Sequence, residues 1–427
     1  MRRSIRIGGL LVGTFIAAGL AASAADWPHF RGPNSDGICP ETGLLKEWPK
    51  EGPPLLWTAH GLGVGYSSVT IVGGKLYTMG DLDADGGKAQ FILCLDPATQ
   101  KPLWTAKVGP PHGDGSRCTP TIDDGLAYAI GTDGDLVCVQ AADGKEVWRK
   151  NFGKDFGGKM MSQWKFSESP LVDGEKLVCT PGGDKAAIVA LKKKTGEVIW
   201  QCAPPRPGMM GGAGYASIVI SKGAGVRQYI TLFGRGALSA KAEDGTFLWA
   251  YPRIGNGTAN IPTPVADGDY VFCSTAYKTG AALLKLSATD GGGVKAEEAY
   301  FLPADTFQNH HGGFVKIGDH IYGGSGHNAG KPTCIEMKTG KIVWQQDQPG
   351  GGSAAVLFAD GHLIFRYQGK EVCLVEATPD GYKLKGKFTT PGGPGISGNA
   401  WAHPVICDGK LYIRHRDALF CYDVKQP

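Results

Sequence analysis

The chain has 427 residues, among them 66 glycines and 27 prolines, with 16 Phe, 14 Tyr and 10 Trp. Gly and Pro together make up about a fifth of the chain against roughly an eighth in an average protein, which excludes long helices and coiled coils while the aromatic residues supply mass for a core. Lys and Arg number 44 against 40 acidic residues, and three of the positives (Arg2, Arg3 and Arg6) sit at the extreme N-terminus. The remainder is nearly neutral and carries no electrostatic footprint for nucleic acid or an anionic membrane surface.

In chain order, the three arginines are followed by an apolar stretch, Ile7 to Leu20, and by Ala22-Ser23-Ala24. A positive start, a short apolar run and small residues at cleavage spacing predict a secretory signal peptide over residues 1–24, and hence a periplasmic or secreted protein. The first cysteine is Cys39, so no lipid anchor is expected at the new N-terminus. No other segment reads as a membrane span, and residues 25–53 are expected to form an extension ahead of the main domain.

One motif then recurs: a small residue, an apolar strand, an Asp-Gly or Thr-Gly turn, and a Trp four residues after the Gly. It runs from Cys138 to Trp148, from Ala190 to Trp200, from Ser239 to Trp249 and from Cys334 to Trp344; in the copy from Cys94 to Trp104, Gln100 replaces the Gly. Worn copies follow Leu284 and Cys373, with Asp290-Gly291 and Asp380-Gly381 as turns. Between these lie eight small or Pro residues that open an apolar run: Ser68, Pro120, Pro170, Ser217, Pro264, Gly313, Ala355 and Pro404. From 68 to 404 they are spaced by 48 residues on average. Asp-Gly and Thr-Gly between apolar runs mark hairpins. A unit of this length with four short strands cannot bury both faces alone, so radial stacking is required and an eight-bladed, all-β propeller over residues 54–427 is predicted. The last repeat stops at Cys421-Tyr422-Asp423, whereas Leu55-Leu56-Trp57 has the Trp without the upstream half. Trp57 is therefore expected to complete the last blade, pairing N- and C-terminal strands to close the ring.

Cys94, Cys138, Cys334, Cys373 and Cys421 share one register in different blades, where other copies have Ala190 or Ser239. That is a slot for a small buried side chain, on blades too far apart for disulfides. The other six cysteines leave room for one pair.

The Trp motifs and the strings Trp27-Pro-His-Phe-Arg-Gly-Pro33, Asn309-His-His-Gly-Gly313 and Trp401-Ala-His-Pro-Val405 resemble the pyrroloquinoline-quinone (PQQ) repeat family of eight-bladed propellers. Two branches of that family frame the functional expectation. Its quinoprotein alcohol dehydrogenases hold PQQ and a calcium ion at the channel mouth; its outer-membrane assembly lipoprotein is a scaffold without chemistry. The chain lacks the vicinal Cys pair of many such dehydrogenases and the lipobox Cys of the lipoprotein, and fold alone does not choose between them.

The residues just ahead of the innermost strands are expected to line one mouth of the channel: Arg117, Lys165, Glu168, Tyr215, Asn260, His310, His311, Trp401 and His403. By its order of blades, the dehydrogenase resemblance implies Glu168 and Asn260 as calcium ligands and Asp305 as base, with Trp164 or Trp401 stacking on the quinone. His310, His311, His320 and His327 invite a zinc or copper reading, although neighbours on a strand point to opposite faces. The leading expectation is a monomeric binding or scaffold module that presents its mouth or rim to a protein partner. A PQQ- and calcium-dependent dehydrogenase and a glycan-binding propeller are the alternatives.

Overall fold

The computed structural model describes residues 26–427 apart from 85 and 394; the expected leader lies outside the described residues. Eight antiparallel sheets of four strands follow one another along the chain. Blades 1 to 7 occupy residues 70–109, 121–151, 171–202, 219–251, 265–303, 314–345 and 354–389, and blade 8 joins 405–423 to Leu55–Ala59. Trp57 lies opposite Cys421, so the two ends of the chain close the ring as expected. Seven of the eight repeat-opening residues stand one or two positions ahead of an innermost strand, and Ala355 is the second residue of its own.

The recurring motif is explained by what lies on either side of it. Cys94 faces Tyr77 on one neighbouring strand and Trp104 on the other. Cys138 sits likewise between Tyr128 and Trp148, and Cys334 between Tyr322 and Trp344. Directly opposite residues share a face of the sheet, so a slot flanked by two large rings admits only a small side chain. Each outer strand carries a register irregularity beside this slot, as between Cys94 and Leu95 or between Ala190 and Leu191. The bulge turns the aromatic ring toward the next blade.

There the ring meets the next blade's glycine turn. A Cβ on Gly144, Gly196 or Gly245 would stand 2.6, 2.8 or 2.4 Å from the indole of Trp104, Trp148 or Trp200. These glycines also have φ near +75°, so the turn needs glycine twice over, for backbone and for space. Gln100 keeps the left-handed conformation, with φ 59°. Three indoles complete the joint with a hydrogen bond: Trp104 to Ala141 O, Trp148 to Lys193 O at 3.0 Å, and Trp344 to Thr378 O. In the worn fifth blade Tyr300 takes the position, lies against Gly340 and donates its hydroxyl to Met337 O. Blade 7 has Lys387 at this place, opposite Cys373. Its outer strand is covered instead by Trp48, which packs on Gly386 and edge-on to Phe388.

The seam has its own clamp. Arg414 of blade 8 is fully buried and donates to Ser67 O, Met79 O, Leu62 O and Gly63 O and to the Thr78 hydroxyl, all in or beside blade 1.

Residues 26–39 enter the ring. Trp27 exchanges two backbone hydrogen bonds with Ile71 of blade 1, and Pro28 O accepts from Ile122 N of blade 2. Three residues later Arg31 donates to Phe314 O of blade 6, and Ile38–Cys39 adds a parallel strand to the inner edge of blade 7. Blades 2 and 6 are opposite one another in a ring of eight, so this segment crosses the axis and plugs the channel. The chain then passes Val424 and Lys385 before entering blade 8.

Two substitutions test these joints. Trp148→Ala empties a buried indole site and breaks the bond to Lys193 O; a cost of about 3–5 kcal/mol in chemical unfolding is expected. Arg414→Leu leaves several buried carbonyls without a donor and is expected to cost a similar 3–5 kcal/mol. A variant of either kind that unfolds at the parent's denaturant midpoint would contradict the role given to that side chain.

Candidate binding site at the channel mouth

The loops that enter the innermost strands are tied to one another by a repeated bond. Ser68 N donates to the Thr119 hydroxyl, Thr119 N to Ser169 and Ser169 N to Ser217, each at 3.0 Å, while the Ser68 hydroxyl reaches His403 O at the seam. Small hydroxyl residues recur at this register because each one satisfies the backbone N–H of the preceding blade. The result is a rigid rim around a cavity of about 400 Å³.

Six of the nine expected mouth residues line this cavity, Arg117, Tyr215, His310, His311, Trp401 and His403, together with Trp164 and His327. Its floor is the plug, through Phe30 and Arg31. One wall is a continuous aromatic arc. Tyr277 and His327 have ring centres 4.5 Å apart, His327 and His310 4.3 Å, His310 and His311 3.6 Å, His311 and Trp401 4.2 Å, and Trp401 and Tyr66 4.7 Å. Arg416 covers the far face of Tyr66, and Phe30 meets His403 edge-on. Trp164 and Tyr215 face the arc from blades 3 and 4.

Three of these rings, Trp401, Tyr277 and His310, are oriented by hydrogen bonds. The Trp401 indole donates to Gln368 Oε1, and Gln368 donates to Asn399 Oδ1. The Tyr277 phenol and His310 Nε2 share a hydrogen bond at 2.9 Å, and His310 Nδ1 shares another with the Ser353 hydroxyl at 2.7 Å. Burial pushes His310 and His403 down to about 3, and His311 and His327 also fall below the usual imidazole value. The imidazoles are thus neutral at pH 7 and serve as hydrogen-bonding plates rather than charges. His320 stands apart, beside Tyr322 in blade 6.

The remaining expected residues do not reach the cavity. Lys165 turns outward to Asp133 at 2.8 Å, and Asp305 is exposed on a loop. Glu168 is buried in the wall, where Oε1 accepts the Thr180 N–H at 2.5 Å. Asn260 is fully buried; Oδ1 accepts from Asn256 N and the amide donates to Phe233 O at 2.7 Å. Both hold backbone in place. No Asp or Glu lines the cavity, and among the described residues no three His, Cys, Asp or Glu are grouped to hold a metal ion. The hard oxygen donors that calcium requires are therefore not presented, and the donor set does not fit the quinone–calcium pair implied by the dehydrogenase resemblance.

Sequence reasoning missed the floor. The string Trp27-Pro-His-Phe-Arg-Gly-Pro33 stands out, but nothing in it reveals that residues ahead of the first repeat fold back across the axis. Tyr66, two residues before Ser68, was open to the register argument that found Tyr215.

Burial raises the Glu168 carboxyl to about 8, so it is largely protonated at neutral pH. An acid whose folded pKa lies above its unfolded one loses stability as pH rises from the unfolded to the folded value, by up to about 1.4 kcal/mol per unit for a single group. Glu168→Gln keeps the bond to Thr180 and removes the titration. The melting temperature of the parent is expected to fall more steeply between pH 6 and 8 than that of the variant; parallel curves would show that Glu168 is ionised in its wall.

Comparison with known proteins agrees with this architecture. Residues 88–346 match the model of the family described as outer membrane protein assembly factor BamB. A BamB of Shewanella oneidensis is 25% identical over 257 residues, covering 56% of this chain and 60% of that protein; a BamB of Salmonella typhimurium is 31% identical over 145 residues, covering 32% and 34%. The matches thus span less than two thirds of these relatives' own length. Among solved structures, BamB from Moraxella catarrhalis superposes with a TM-score of 0.57 at 13% identity, covering 87% of this chain and 98% of that one. Quinohemoprotein alcohol dehydrogenase from Comamonas testosteroni gives 0.65 at 13%, covering 94% and 81%, a likeness of fold alone. With more than half of its length matched and all eight blades in place, the chain belongs to the PQQ-repeat propeller family described as outer membrane protein assembly factor BamB.

Proposed function

We propose that this protein is an exported, periplasmic binding module that uses its channel mouth to hold a partner, without redox chemistry of its own. The observation that carries the reading is the composition of the mouth: a rigid aromatic cavity with a closed floor and no carboxylate. A cavity that buries its occupant among apolar walls with a few placed polar groups is built for binding. The names of the curated relatives, outer membrane protein assembly factors, favour a scaffold role and an envelope location; the basic, apolar, small-residue leader favours export. No helix among the described residues is long and apolar enough to cross a membrane.

The dehydrogenase reading is disfavoured by the same residues, since Glu168 and Asn260 lie inside the wall and off the cavity lining, Asn260 bonded to backbone and Glu168 with Oε1 on the Thr180 N–H and Oε2 unpartnered. A glycan reading has a specific observation in its favour, the arc of Tyr277, Trp401 and Tyr66 edged by neutral hydrogen-bonding groups. Aromatic faces with polar edges suit sugar rings.

The test is to add PQQ and calcium to the purified protein and follow dye reduction over a panel of alcohols and sugars. No turnover above the protein-free control is expected. Saturable turnover that Glu168→Gln abolishes would replace this reading with the dehydrogenase.

A further inference from the structure

The charges around the cavity are unbalanced. Two guanidinium groups line it, Arg31 from the plug and Arg117 from the entry to blade 2, and no carboxylate does. Arg117 is partly neutralised by Asp114 at 3.0 Å, on its far side. Arg31 has no salt bridge among the described residues. Its Nη2 donates to Asp36 O and Phe314 O, but its Nη1 is buried with no partner on a residue only 5% exposed. A buried donor on a charged group is costly to leave unpaired. Gly313, which also lines the cavity, lies over that atom: a Cβ there would stand 2.8 Å from Nη1. Gly313 has φ 63°, and besides that backbone demand a side chain there would fill the space against Nη1.

The rest of the lining says what accompanies the negative charge. His311 and His327 each have an unpartnered buried Nδ1, and Ser167, Asn328 and Asn399 line the same space. A flat aromatic acid would cover these neutral donors and acceptors without pairing them. A sugar ring would stack on the arc and spend its hydroxyls on them.

We propose that the mouth cavity is a receptor site for an acidic sugar, a uronic acid unit whose carboxylate is drawn to Arg31 Nη1 past Gly313 while its ring lies on the Trp401–Tyr66 face. This rests on reading the mouth as a binding site and adds the class of ligand. Arg31 supplies the charge, Gly313 the access, and the neutral imidazoles a hydrogen-bonding wall that does not compete for the anion. Asp114 pairs with Arg117, Asp36 meets Arg31 only through its main-chain oxygen, and no carboxylate lines the cavity to repel the ligand's charge.

The experiment titrates the full mature protein, at pH 7 and fixed salt, with four probes followed by tryptophan fluorescence and calorimetry: glucuronate, glucose, benzoate and benzamide. Glucuronate is expected to bind saturably and at least tenfold more tightly than glucose, and more tightly than benzoate. Arg31→Gln and Gly313→Ala are each expected to weaken glucuronate at least tenfold and to leave glucose within about twofold. Because Arg31 also braces the plug, circular dichroism melts accompany both variants, and the contrast between glucuronate and glucose in the parent needs no variant at all. Equal affinity for glucuronate and glucose would overturn the carboxylate assignment while leaving the mouth as a binding site. Tighter binding of benzoate than of glucuronate would overturn the sugar assignment. Failure of all four probes, in a protein whose mouth still captures a protein partner, would overturn the ligand class and spare the broader reading.

Discussion

An aromatic ring on the outer strand of one blade, laid flat against the glycine turn of the next, is the joint on which this molecule depends. A four-stranded sheet of this size has two apolar faces and no second layer of its own. The indole closes that gap, and its hydrogen bond to a carbonyl of the neighbouring blade fixes the angle between them. The small residue beside it and the glycine beyond it are consequences: one makes room on the same sheet, the other on the facing one. Cys, Ala and Ser interchange in the first place because only size is selected, which also accounts for buried thiols in a chain that reads as exported. Where the indole is missing, another group fills the gap, Tyr300 in blade 5 and Trp48 from the N-terminal segment behind blade 7.

A ring built from repeated joints has one place where the repeat must end. Here the two ends share a blade, and Arg414 fastens that blade to the first with charged donors to main-chain carbonyls. Burial lowers its pKa to about 9, opposed by the nearby Asp417 and Asp81, which leaves the group cationic at neutral pH. The seam thus adds these polar contacts to an apolar cluster that joins Leu76 and Leu93 of blade 1 to Leu411 and Phe420 of blade 8.

The site follows from the ring and from one departure from it. Eight entry loops meet at one end, and those of blades 1 to 4 are tied amide to hydroxyl into a collar that reaches His403 at the seam. The plug converts an open bore into a cup by carrying Phe30 and Arg31 across the axis. With it the mouth is a floored pocket whose histidines are neutral and whose unpartnered buried polar atoms include one on a cation, Arg31 Nη1.

The amino-acid sequence determined the blade count, the closure through Trp57 and Cys421, the small-residue slot and six of the lining residues, because each of these is written as a period or as a register repeated eight times. Only the tertiary structure decided the rest. Residues 26–39 belong to no repeat, and their place in the bore rests on long-range hydrogen bonds to blades 1, 2, 6 and 7. Glu168 and Asn260 stand in the right loops but turn into the wall, since a side chain's direction depends on a backbone rotation of one residue. Lys165, at φ 67°, turns outward to Asp133. Periodicity says which loop a residue occupies; only the folded backbone says which way it points.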